Sequence, residues 1–498
     1  GELERATTWY TAAQSTTQEP AESVFIQSLL GLSRLALIRG KVDEATTHTS
    51  KAHDYLEESS DSALRAQVMR QRALIAMQRG EPGEAESLLL AALSDFEAAQ
   101  EPEEVQRSLL ALARWANNRG NLVQAVRYGR RVLHGEKKRR DPATTAEALS
   151  LIGRALFNAA RFESSRRSLN RGLRVARKSS DRLREASLLR DLGNVKTRQA
   201  DFSGALDHYN RSLELARVMR SKLHEVRSLH NIGVVTSVLG RYRQALGAFR
   251  EAFRIAQVAG DVQVQVYVRS ELAHMWIRFG DFRAALNELG WVEDTLGRVE
   301  NENFRAEVSG FSAWAQLQLG KHQRAERLLS NETTLLEEME EPASQVVLLH
   351  YLALAAHHLG QKELLGKLAN RLLQVTEDGH LLDTQASSLY VVGLSEMISG
   401  RPHNAQEKLT HSLQLACVQE QRPLEIQVRM ALQSLLSDPH QRNENLRAAA
   451  DQLRTISSGL PEHVAERLLK SRQFEKIPAS LRRKGSSSKP SMPRFGAL

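Results

Sequence analysis

The chain has 498 residues, too many for one compact core, and its mix of 41% hydrophobic, 26% charged and only 5% aromatic residues points to a soluble, largely helical protein built from several units. A single cysteine, Cys417, excludes an intramolecular disulfide framework and any multi-cysteine metal site; a reducing cytoplasm is the expected compartment, with Cys417 a small apolar filler of its helix. The apolar runs are too short and too often charged to cross a bilayer, no signal peptide is evident, and the net charge of +9 raises the question of an anionic partner.

Small residues recur every forty positions, at Gly40, Gly80, Gly120, Ala160, Ala200, Gly240, Gly280, Gly320, Gly360 and Gly400. Other positions keep this phase. Five residues after the tick stand Ala45, Ala205, Ala245 and Ala405, and seven before it stand Ala73, Gly153, Gly193, Gly233 and Gly393. Counting back, a tick falls just before residue 1. Residues 1–18 are therefore expected to be the second helix of a preceding unit, with Trp9 and Ala12 in its core, and with further sequence upstream.

Around Gly240 the pattern gives the unit itself. Leu223, Val226, Leu229, Ile232, Val235 and Val238 mark one amphipathic helix. Tyr242, Ala245, Leu246, Phe249, Ala252 and Phe253 mark a second. Gly240 closes the first helix, where a residue without Cβ takes a left-handed conformation cheaply. Small residues at Gly233 and Ala245 allow the two helices to approach closely. One hairpin cannot bury its own face, so residues 19–420 are expected to stack about ten such units into a solenoid. After residue 420 the pulse fades. Residues 421–470 read as capping helices, the last begun by Pro461, and residues 471–498 as a basic disordered tail.

This grammar resembles the tetratricopeptide repeat family. The segment "LGNVKTRQADFSGALDHYNRSLELA" matches best, with Leu192, Gly193, Ala200, Phe202, Ala205 and Tyr209 at or beside motif positions. The departure is the period, forty residues where the family has about thirty-four, which longer helices would supply. The resemblance implies an all-α, right-handed superhelical solenoid of antiparallel helix hairpins. Forty-residue units ending in "LPEHVAERLL" also resemble the helical-repeat regions of large bacterial signalling regulators linked to a kinase or an ATPase. That implies a non-enzymatic interaction or sensor scaffold, with no cofactor, whose concave groove takes a peptide, a partner domain or a small effector.

In this family the first helix of each hairpin lines the groove. The implied lining is Arg70, Arg114, Asn117, Arg154, Asn158 and Arg190, then Asn194, Arg198, His230 and Asn231, then His274, Trp314, His350 and Tyr390. Arginine and asparagine suit carboxylates and peptide backbone, so the expected partner is a protein or peptide with an acidic segment. Arg190, Asn194 and Asn231 fall at three positions of a carboxylate clamp found in some members, but Glu271 stands where a cation is required and would repel a carboxylate.

The charge is local. Residues 130–198 hold nineteen Lys/Arg and seven acids, and residues 470–498 hold eight and one, which leaves the rest of the chain net acidic. A second reading is therefore nucleic-acid or phosphate-ligand binding through residues 130–198 and the tail, in which Phe157 would be the stacking platform. His350, His357 and His358 lack a carboxylate at ligand spacing, and no nucleotide-binding loop or metalloprotease motif occurs.

Overall fold

The computed structural model describes residues 2–15, 22–38, 40–56, 61–79, 81–139, 141–298, 302–337, 339, 341–471 and 474–482. Among these residues every regular element is helical, and no helix is long and apolar enough to cross a membrane. The contacts divide the chain into two compact units, residues 1–191 and 192–498, each a run of antiparallel hairpins.

The forty-residue period resolves into two equal halves. Pro142–Asn158, Phe162–Lys178, Arg182–Arg198, Phe202–Val218 and Lys222–Val238 are each 17 residues long. Three residues separate each helix from the next. The extra length over a shorter repeat lies in the helices, as the sequence implies. Every described tick has a positive φ, from Gly40 at 73° to Gly400 at 74°, and Ala160 and Ala200 adopt it too, at 55° and 58°. At Gly240 the N–H donates to the Ser237 carbonyl at 3.0 Å and the Arg241 N–H to the Thr236 carbonyl at 2.8 Å, which satisfies two orphan carbonyls of the helix end. Gly80 lies outside the described residues.

The turns midway between ticks close in the same way, at Gln100, Ser180, Arg220, Gly260, His380 and Glu420. The backbone thus runs on a twenty-residue period that the sequence shows only at alternate turns. A left-handed conformation costs an alanine about 1 kcal/mol relative to glycine. Ala200→Gly is therefore expected to raise the urea midpoint by an amount equivalent to about 0.5 kcal/mol, after the added entropy of the unfolded glycine. An unchanged or lower midpoint would contradict this account of the turn.

The phase positions fill the cores. Ala45, Ala85, Ala125, Ala205, Ala245, Ala285 and Ala405 are fully buried, and Phe162, Phe202, Tyr242 and Phe282 nearly so. The glycine seven before a tick receives the side chain sixteen residues later. Gly153 meets Leu169, Gly193 meets Tyr209, Gly233 meets Phe249 and Gly393 meets Leu409.

Two expectations change. The first helix, Glu2–Ser15, forms and packs on Glu22–Ile38, but Trp9 is 79% exposed and Ala12 is exposed as well. Tyr10 is the inward residue, its ring occupying the space above Gly31, so the helix is rotated from the phase that the tick implies. At the other end, Phe474 and Ile477 are buried and Ala479–Arg482 is helical, so residues 474–482 belong to the folded body. The remainder of the expected tail, residues 483–498 with Ser486, Ser487 and Ser488, lies outside the described residues. The C-terminal helices pack against turns of the second unit. Arg467 pairs with Asp281 at 2.9 Å, Arg422 donates to the Leu239 carbonyl at 3.3 Å, and Ile456 and Pro423 lie beside Gly240.

Candidate functional site

In the first unit the arginine stripe is already furnished with carboxylates. Arg70 pairs with Glu104 and lies 5.2 Å from the Phe96 ring centre. Arg114 pairs with Glu147, which also takes Arg184 at 2.9 Å. Arg154 and the buried Arg190 approach Asp191 at 4.0 and 3.4 Å. Each cation thus finds an acid on the first helix of the next hairpin or on its own helix, a separation that a forty-residue repeat makes natural. Asn117 donates to the Ala113 and Leu151 carbonyls at 3.1 Å, and Asn158 is exposed. This face is therefore largely neutralised from within, and the excess charge of residues 130–198 does not sit on it as free cations. Phe157 tilts against Phe162 at 5.7 Å and is half-buried, which makes it a poor open platform for a base.

In the second unit Asn194, Asn231 and Tyr209 form one network. The Asn194 side-chain carbonyl accepts from the Tyr209 hydroxyl and from the Asn231 amide, both at 2.8 Å. His230 Nδ1 lies 3.2 Å from the Asn231 amide oxygen, and its Nε2 is buried without a partner. Arg198 is engaged by Asp383 at 2.7 Å across 185 residues of sequence.

Further along, the first helices of successive hairpins interlock through their rings. His274, on Val262–Phe279, stacks on Phe311 at 4.3 Å and meets the edge of Tyr351 at 5.7 Å. His350 meets Tyr351 at 5.2 Å, and Trp314 meets His358 at 6.2 Å. His274 is thus a buried packing residue as much as a lining one. Tyr390 is half-buried, and burial pushes its phenol up to about 12.

The electrostatics of this interior follow from its enclosure. Burial lowers His274 to about 4 and His350 to about 3, with the neighbouring Arg278 acting in the same direction, so both imidazoles are neutral at pH 7. Burial works to raise Glu271, but His274 at 3.7 Å, His230 and Arg278 outweigh it and hold the carboxyl at about 2. Glu307 goes the other way. Burial first, and then the carboxylates of Glu271 and Glu341, raise it to about 8 against the opposing Ser344 and Arg198.

Arg278, a groove position by the repeat phase, is the residue that the sequence did not single out from its neighbours. Its charge bears on Tyr242, Glu271, His274, His350 and Tyr351. Among the described residues it has no carboxylate within ion-pair distance, only the Ser237 hydroxyl at 3.4 Å. The Tyr242 hydroxyl and His350 Nδ1 are buried without partners as well. No group of three metal-ligating side chains occurs among the described residues. Cys417 is half-buried, and burial with Glu425 raises its thiol to about 11, so it is not a ready nucleophile.

Glu307 gives a pH signature. Its folded value lies above the ordinary carboxylate value of 4.5, so the unfolded chain ionises first. Stability is then lost as pH rises from about 4.5 to about 8 and levels off above. Glu307→Gln is expected to gain about 2 kcal/mol relative to the parent at pH 9, less than the full shift implies because the side chain keeps some solvent exposure, and little at pH 5. Urea denaturation at the two pH values checks it, and an equal difference at both would refute the assignment.

Fold and repeat together define an all-α helical-repeat solenoid. Sequence models of the tetratricopeptide repeat match residues 144–217 and 226–259, so the chain carries tetratricopeptide repeats over those residues. Among solved structures it is similar to a Rap protein complexed with competence and sporulation factor, 16% identical over 71% of this chain and 98% of that one, with a TM-score of 0.53. The apo form of the quorum sensor NprR from B. thuringiensis is 14% identical over 71% and 99%, with a TM-score of 0.47. A signal-transduction ATPase with a tetratricopeptide repeat sensor from Pyrococcus horikoshii is 14% identical over 78% and 54%, with a TM-score of 0.41. No curated protein matches the chain.

Proposed function

We propose that the protein is a non-enzymatic interaction and sensor scaffold, and that the inner helices of its second unit bind a peptide or small effector at the Arg278 cluster. The observation that carries this reading is a set of enclosed polar groups left without partners. Arg278 lacks an ion pair among the described residues, and His230 Nε2, His350 Nδ1 and the Tyr242 hydroxyl lack hydrogen bonds. A buried unpaired polar group costs about 1 to 3 kcal/mol, so several in one place are retained for something that satisfies them. Arg278 supplies a carboxylate contact, Glu271 an amine contact, and the rings of Phe311 and Tyr351 an apolar wall. A peptide carries all three complements. The Rap structure it resembles is a complex with a factor, which is consistent with this use of the fold.

The test uses a pool of random pentapeptides with free carboxyl termini and the same pool amidated, each passed over the full chain and read by mass spectrometry. The parent is expected to retain a subset that Arg278→Gln loses, with helicity unchanged. Retention of the same subset by Arg278→Gln would remove the assignment. The acidic-partner reading of the first-unit stripe draws less support, since Arg70, Arg114, Arg154 and Arg190 have acids of their own.

A further inference from the structure

The first unit carries a cleft of about 830 Å³ along the helix Leu122–Arg139, and it is built unlike the neutralised stripe. Its floor is apolar, formed by Val105, Leu109, Leu122, Val126 and Leu156 from three consecutive helices. Val123 stands at the lining and is 80% exposed, an apolar side chain left uncovered. The cleft also carries Arg127, Arg130, Arg131 and Arg161. Arg131 takes Glu97 at 2.5 Å, whereas Arg127, Arg130 and Arg161 have no carboxylate partner among the described residues. Gln106 lines the same cleft. It is 7% exposed, and its side-chain oxygen is buried with no hydrogen-bond donor.

We propose that this cleft docks an acidic peptide segment of a partner protein that carries apolar anchors. Three requirements of the site select this occupant. The floor needs apolar side chains, the free guanidinium groups need carboxylates, and the Gln106 oxygen needs a donor, which a peptide backbone N–H provides. The volume falls within the range of sites that enclose a few side chains. No phenylalanine, tyrosine or tryptophan lines the cleft, and His134 is the single ring at its edge, so it offers little stacking surface for the bases of a single-stranded nucleic acid. The site is distinct from the Arg278 cluster and does not depend on it.

The experiment measures fluorescence anisotropy of a labelled peptide, EELEELLEEL, against the full chain at 50 and 200 mM salt. The parent is expected to bind it and to leave KKLKKLLKKL unbound. Arg127→Glu with Arg130→Glu is expected to weaken binding at least tenfold. Both side chains are exposed, so the fold should tolerate the change. Gln106→Leu is expected to weaken it about threefold at either salt. Arg171→Glu with Arg174→Glu places the same charge change on exposed positions of the same unit and should leave binding as in the parent, as should Arg278→Gln. Equal weakening by the two double variants would mean that net charge alone is felt and would overturn the site, as would undiminished binding by Arg127→Glu with Arg130→Glu. Tighter binding of a ten-nucleotide RNA, lost in that same variant, would replace the peptide with nucleic acid and also overturn it.

Discussion

Gly233→Leu is expected to lower stability by about 3 kcal/mol, the upper end of the usual cost of overpacking a filled core. A Cβ placed on Gly233 would stand 2.5 Å from the Phe249 ring, whose side chain is fully buried. The ring has no free direction in which to move. It packs against His230 at 6.3 Å, and Ala245 and Ala252, one turn to either side on the same helix face, are both fully buried. Relief therefore requires the two helices to separate, which opens the interface between Lys222–Val238 and Tyr242–Ala259. Urea denaturation of the single variants and of Gly233→Leu with Phe249→Ala tests the contact directly. The double variant should be more stable than the sum of the two single losses predicts, because the added leucine occupies the space that the ring vacates. Additive losses, or a parent-like midpoint for Gly233→Leu alone, would mean that the glycine is not the receptor for the ring.

That contact explains why so much of the fold is legible in the sequence. The repeat fixes which residues must be small, because a side chain sixteen positions later occupies their space, and so Gly153, Gly193, Gly233 and Gly393 reveal the hairpin before any coordinates do. The turn glycines are legible for the same kind of reason, a positive φ. The turns at Gln100, Ser180, Arg220, His380 and Glu420 escape notice because exposed L-residues tolerate the left-handed conformation at modest cost, so no composition marks them. The site is less legible. Phase identifies which side chains line a face, but not which of them are already satisfied. Arg154 and Arg278 occupy similar places in the pattern, yet one approaches Asp191 and the other has no carboxylate within ion-pair distance among the described residues. Nor does periodicity give the rotation of Glu2–Ser15, where Tyr10 takes the place expected for Trp9. Phe474 and Ile477 fall outside the repeat, so their burial depends on contacts that no phase predicts.

Asp383→Asn is expected to cost about 3 kcal/mol, the lower end of the range for breaking one side of an enclosed ion pair. Asp383 stands in the first turn of Leu382–Ile398 and Arg198 ends Arg182–Arg198, and their 2.7 Å contact joins helix ends 185 residues apart. The side chains are 10% and 26% exposed, so water does little to screen them. Burial works to lower the arginine's affinity for its proton, and Asp383 with Glu341 more than reverses this, which is the signature of a guanidinium held by its carboxylates. Asparagine keeps the shape and removes the charge, leaving Glu341 as the nearest remaining compensation. Hence the estimate stays below the full cost of an isolated buried cation. Arg198→Met alone should cost a similar amount, because it strands a carboxylate whose Oδ1 already has no partner. Arg198→Met with Asp383→Leu should recover most of the loss, since an apolar pair of similar volume removes both desolvation penalties. A double-mutant cycle read by urea denaturation gives the coupling, and a value near zero would show that apolar packing alone holds these distant helix ends together. A large one would make the pair the electrostatic latch that fixes how the inner helices around Arg278 close, so that Asp383→Asn should also loosen amide-exchange protection at Arg278.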